Sequence, residues 1–102
     1  MTLTKLKITQ FDHYSEIKIL ITHPMENGRN RDANNQLIPA HFIQELQILR
    51  NQTQMVSLQL GGSVSKQPFL VFHLEKLQLG DKISVIWQDN QAQSDSVEQL
   101  IP

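Results

Sequence analysis

Apolar residues recur at every second position along most of this 102-residue chain. Leu6 and Ile8 share one face of residues 6–9, and Ile17, Ile19 and Ile21 share one face of residues 16–22, with Glu16, Lys18 and Thr22 opposite. Val56, Leu58 and Leu60 repeat the spacing, as do Ile83, Val85 and Trp87. Residues 69–76 place Leu70, Phe72 and Leu74 inward and His73 and Glu75 outward. A period of two with β-branched and aromatic side chains is the mark of a strand with one face buried. Turn-forming residues separate the runs at 12–15, 51–53, 61–62, 80–81 and 89–90. Short strands at this spacing predict an antiparallel sandwich, with residues 1–102 as a single domain.

Three segments fit the rule less well. Ile38, Phe42, Leu46 and Leu49 stand at helical spacing behind Pro39, which suits a first-turn position. A strand is equally available there, with Phe42, Leu46 and Ile48 against Ile43, Glu45 and Gln47; Gln44 breaks its inward face. Residues 92–100 are polar and weakly patterned, which suits an edge strand. Residues 23–38 carry no period at all and form a connection longer than most in compact domains. Their ends are semi-rigid and apolar (His23-Pro24-Met25 and Leu37-Ile38-Pro39), and Asn27-Gly28 and Asn34-Asn35 are turn signals. A folded excursion follows, with a small hairpin through Asn34-Asn35. Its charges, Glu26, Arg29, Arg31 and Asp32, nearly cancel, which suits protein recognition better than anion capture.

Composition narrows the chemistry. The absence of cysteine excludes disulfides, thiolate metal sites and a cysteine nucleophile. A net charge of -1 makes no electrostatic case for nucleic acid or an acidic membrane. No apolar run approaches the roughly 20 residues of a membrane helix, and the alternating N-terminus lacks the apolar core of a secretory signal. No serine lies in a nucleophile elbow. The acids Glu26, Asp32, Glu45, Glu75 and Asp89 suit a solvated face better than a catalytic pair, and Trp87 suits the core between two sheets. His23 and Met25 could offer imidazole and thioether to a copper ion, though a local pair needs further ligands to complete the coordination.

From His23 to Gly28 the sequence His-Pro-Met-Glu-Asn-Gly resembles the SoxZ family of the bacterial sulfur-oxidising Sox system. Arg31-Asp32, Ile38-Pro39, Val64-Ser65 with Pro68-Phe69, and Trp87 with Asp89-Asn90 follow in the family's order. Gln67 departs from a usual asparagine, Gln91 from a usual turn glycine, and residues 93–102 match only loosely. The resemblance implies an all-β, immunoglobulin- or fibronectin type III-like β-sandwich of about seven antiparallel strands, and so a strand rather than a helix over 42–49. It implies a non-catalytic subunit without cofactor or metal, paired as a heterodimer with SoxY. SoxY bears the sulfur substrate on a cysteine at the end of a flexible arm, and the pair visits other Sox enzymes transiently. It implies a periplasmic location reached by co-export with that partner, in a chain without its own signal peptide. The loop His23, Pro24, Met25, Glu26, Asn27, Gly28, Arg29, Arg31 and Asp32 is then the expected partner contact or the brace for one. Without its partner such a subunit exposes an apolar patch and is expected to self-associate. A small periplasmic copper-binding sandwich using His23 and Met25 is the alternative.

Overall fold

The computed structural model describes residues 3–102. Its strands are β1 (Thr4–Gln10), β2 (Tyr14–Ile21), β3 (Ile43–Arg50), β4 (Thr53–Gln59), β5 (Phe69–Glu75), β6 (Lys82–Asp89) and β7 (Ser94–Leu100), all paired antiparallel, with no helix among the described residues. They form two sheets, β1-β2-β5 and β4-β3-β6-β7. This is the all-β sandwich that the alternating pattern predicts. Relative to a constant-type immunoglobulin, β4 has left the first sheet and joined the second.

The core lies between the sheets and uses the inward sets already visible in the sequence. Ile17, Ile19 and Ile21 of β2 face Leu46 and Ile48 of β3 and Ile83, Val85 and Trp87 of β6, all buried. The inward residues of the edge strands, such as Leu70 and Phe72 of β5 and Val56 of β4, are only half-buried. An edge strand has a neighbour on one side, so its inward side chains keep some contact with water.

The ambiguous segment is a strand, and its irregular pattern has a structural cause. Pairing between β3 and β6 slips between Ile43 and Glu45. Gln44 is the extra residue of a β-bulge, so Ile43 and Leu46 both reach the core despite their odd spacing. Phe42, expected on the inward face of a regular strand, precedes the strand and is half-buried. Two hairpin turns use left-handed residues. Asn51 and Gln52 have φ of 50° and 71°, the two positive values that a two-residue type I′ turn between β3 and β4 requires. Between β6 and β7 the left-handed residue is Ala92, at φ 62°. The expected position for a turn glycine, Gln91, is one residue too early.

The two sheets are also joined by a buried polar chain. The Trp87 indole N–H donates to Thr4 Oγ1 at 2.7 Å, and the Thr4 hydroxyl donates to Asp95 Oδ2 at 2.8 Å. Thr4 is buried, so removing its hydroxyl strands the indole N–H without an acceptor. Thr4→Val is therefore expected to lower the unfolding free energy by about 1–3 kcal/mol, measured by chemical denaturation; an unchanged midpoint would show that this link contributes nothing.

Candidate functional site

At one end of the sandwich β2 and β6 stop and β3 and β5 begin. Residues 22–42 leave and re-enter the fold there, and residues 60–68 cross beside them. Asp89 sits in the middle. It continues the inward parity of Ile83, Val85 and Trp87, so its carboxylate is carried into the protein, where it is 3% exposed. A carboxylate in such a place must be fully hydrogen-bonded. Oδ1 accepts from the backbone N–H groups of Gln91 and Gln93, at 2.9 and 2.8 Å, and so holds the β6–β7 turn with its left-handed Ala92. Oδ2 accepts from two imidazoles, His23 Nε2 at 3.0 Å and His41 Nε2 at 2.7 Å.

The second nitrogen of His23 is also occupied. Nδ1 accepts from the Met25 backbone N–H at 3.1 Å. The network thereby assigns the ring proton to Nε2, where Asp89 receives it. The ring is wedged edge-on against both His41 and Trp87, with centroids 4.6 and 5.4 Å away. Met25 adopts a left-handed φ of 48°, and its buried Sδ accepts from the Ile43 N–H at 3.4 Å. Burial by itself raises the pKa of Asp89, but the hydrogen bonds from His23, the Gln93 N–H, His41 and the Gln91 N–H outweigh it. They hold the carboxyl below the ordinary aspartate value of 3.8.

The same end is clasped by further contacts. The His23 N–H donates to Gln67 Oε1 at 2.9 Å, and the Gln67 N–H donates back to His23 O at 3.1 Å. Gly62 lies so close to Asn27 that a Cβ there would be 2.8 Å from the Asn27 Cα, which no side chain tolerates. Asn90 donates to Ala40 O at 2.9 Å and accepts from the Phe42 N–H at 2.8 Å.

The expected loop divides in two. His23 and Met25 are buried and brace the end of the fold; Pro24, Asn27, Arg29, Arg31 and Asp32 are exposed, and Glu26 and Gly28 lie between these extremes. Glu26 pairs with His41 in an isolated β-bridge, so the excursion is itself a long hairpin. Its tip turns through Asn34-Asn35 as the sequence suggests. Asp32 Oδ1 accepts from the Asn34 and Gln36 N–H groups, and Arg31 Nη1 donates to Asn35 O. The charges of the loop therefore serve in part to shape it.

His41 and Asp89 were not among the expected site residues, yet they complete the cluster. Parity was the available signal, since Asp89 follows Trp87 by two and must face inward. One ligand atom from each of His23, His41 and Asp89 lies within 4.8 Å of the others, a spacing that can suit a metal ion. The hydrogen bonds oppose that use. A metal on His23 Nε2 needs the ring proton on Nδ1, where it would face the Met25 N–H, donor against donor. The thioether of Met25 is already engaged by Ile43. The geometry favours a hydrogen-bonded brace over the copper site.

Two of the stretches that carry the sequence resemblance thus meet in space. His23 reaches Asp89 across 66 positions, and the 62–67 segment closes on the His23 side, with Gln67 bonded to His23 and Gly62 against Asn27. The family model described as Sulphur oxidation protein SoxZ matches residues 5–99. No curated protein matches the chain.

Asp89→Asn keeps the shape but offers fewer acceptor lone pairs to four donors. It is expected to cost about 1–3 kcal/mol. Because the folded-state pKa of Asp89 is depressed, its contribution is complete above the ordinary carboxylate range and is lost as pH falls through the lowered value. Denaturation curves taken from neutral pH to well below about pH 4 should therefore show the gap between wild type and Asp89→Asn constant at first and closing as the pH drops beneath the ordinary carboxylate value. A gap that is constant with pH would mean that the carboxylate charge is not what holds the histidines.

Proposed function

The chain belongs to the SoxZ family, with a role in the Sox sulfur-oxidation system, and on that premise we propose that it is the non-catalytic half of a two-subunit sulfur carrier. Its companion is a SoxY-type subunit that bears the sulfur substrate on a cysteine at the end of a mobile arm. This chain supplies a rigid support that buries part of the companion and presents the pair to the enzymes that load, oxidise and release the cargo. The observation that carries the reading is the family match over nearly the whole chain.

The chemistry of the site supports it. The chain has no cysteine to bear a sulfur adduct. The most reactive-looking cluster, His23, His41 and Asp89, has its hydrogen-bonding groups directed at one another and at the backbone. Such an arrangement stiffens a loop; it does not hold a base or nucleophile ready for a substrate. In this reading His23 and Met25 act as braces, and the exposed Pro24 and Glu26-to-Asp32 surface serves contacts. The working compartment is the periplasm, reached together with the carrier subunit.

Co-expression with the SoxY-type protein of the same organism, purified through a tag on that protein alone, tests the reading. The two chains are expected to emerge in a one-to-one complex that survives gel filtration. Recovery of the tagged protein alone, with this chain folded and left in the flow-through, would reject the pairing.

A further inference from the structure

Among the described residues, large apolar side chains are exposed on both sheets, but in only one place are they direct cross-strand partners. The outward face of the β1-β2-β5 sheet gathers Leu20, Phe69 and Val71, which are 37%, 58% and 45% exposed. Leu20 and Phe69 are direct cross-strand partners, and Val71 is the next outward residue on the same strand. Farther along the sheet, Tyr14 stacks on Phe11 at 4.9 Å and meets His73 at 4.8 Å, which extends the apolar track. Isolated apolar residues on a surface need no explanation, whereas a contiguous set marks an interaction site.

The same face carries an excess of positive charge. Lys5 and Lys7 of β1 and Lys18 of β2 point outward beside the apolar track, and Lys7 lies directly opposite Lys18 in the register. Like charges placed directly opposite each other destabilise a pair of strands. Glu16, whose carboxylate is shared between Lys18 at 3.4 Å and His73 at 3.2 Å, and Glu75, opposite Tyr14, offset part of this charge. The face keeps a small positive excess in a chain whose net charge is -1, and that excess is gathered at the opposed lysines. The outer face of the other sheet also exposes Met55, Ile86 and Leu100, but no two of them are cross-strand partners; Ile86 lies between Gln47 and Ser96, and Lys82 is paired with Glu98 at 3.2 Å.

Two further features point to a covered surface. β5 is the end strand of its sheet, and its sequence, FLVFHLE, has no proline or lysine to blunt an open edge. At the Leu20–Phe69 end the face runs into Thr22, Pro24, Lys66 and Gln67, which line a cavity of about 220 Å³ beside His23. The sheet face is thus continuous with the braced loop.

We propose that the outer face of the β1-β2-β5 sheet, together with Pro24 and Lys66 at its end, is the surface that receives the carrier subunit. The partner's complementary face then has an apolar centre and an acidic rim. The inference rests on the reading of this chain as one half of a carrier pair. A second copy of the chain fits less well, because it would bring the same excess of lysines to the contact. A phosphate polymer fits less well, because the middle of the face is apolar. An acidic partner both covers Phe69 and relieves the opposed lysines.

The test is affinity for the SoxY-type subunit, measured with purified wild type, Phe69→Glu, Lys7→Glu and, on the opposite sheet face, Ile86→Glu. Thermal unfolding of each variant alone checks the fold. Phe69→Glu is expected to weaken binding by about tenfold or more. Lys7→Glu should slow association and flatten its dependence on salt. Ile86→Glu should bind like wild type. Should Phe69→Glu fail to fold, Lys7→Glu and Ile86→Glu still decide the matter. Wild-type affinity in both Phe69→Glu and Lys7→Glu, or a loss confined to Ile86→Glu, would overturn the assignment. Self-association of wild type that Phe69→Glu abolishes while leaving carrier binding intact would reassign the face to a second copy. Failure of the wild-type chain to bind at all is a different result: it removes the pairing itself, and the inference with it.

Discussion

A single buried carboxylate organises the end of this sandwich where the long excursion leaves and returns. Asp89 divides its two oxygens between two tasks. One fixes the backbone of the β6–β7 turn, and the other gathers His23 and His41 from the two ends of the long excursion. Burying a charge is unfavourable unless every lone pair is answered, and here four donors answer it. The consequence runs in both directions. The excursion is held in one shape because the histidines must reach Asp89, and Asp89 is stable inside because the excursion returns to cover it. Among the described residues, no buried side-chain nitrogen or oxygen is left without a partner.

Most of the fold was legible in the alternation of apolar and polar residues. β2, β5 and β6 face the core with the side chains that the pattern selects. Where reading failed, the cause was local geometry that a two-residue period cannot express. The bulge at Gln44 shifts the parity of β3, so Ile43 and Leu46 share a face although they stand three apart. Ala92 takes the left-handed turn position one residue beyond the expected glycine site, held there by side-chain acceptors of Asp89. The candidate site was half legible. His23 and Met25 drew attention as polar or soft side chains at the end of a core strand. Their partners are distant in sequence, and only the pairing of β3 with β6 brings His41 beside Asp89.

The physical character of the site also explains why two of the resemblance motifs belong together in this chain. His23-Pro24-Met25 and Trp87 with Asp89-Asn90 are pieces of one brace, to which Gln67 is bonded. Each is an incomplete hydrogen-bonding arrangement by itself. The proposed role suits this construction: loops that keep their shape, internal polar groups that are satisfied, and an apolar sheet face. The stiff end and that face adjoin, so in the proposed pair a partner resting on the sheet would meet a braced loop.

The state of the His23 ring tests this account most directly. Proton–nitrogen correlation spectra of the imidazole side chains in the intact wild-type protein report which ring nitrogen carries the proton. The account predicts that His23 is the neutral Nε2–H tautomer, with Nδ1 bare and accepting from Met25, and that stoichiometric Cu(I) leaves those signals in place. A proton on Nδ1, or displacement of the His23 signals by the metal, would contradict it and make the cluster a metal centre instead of a brace.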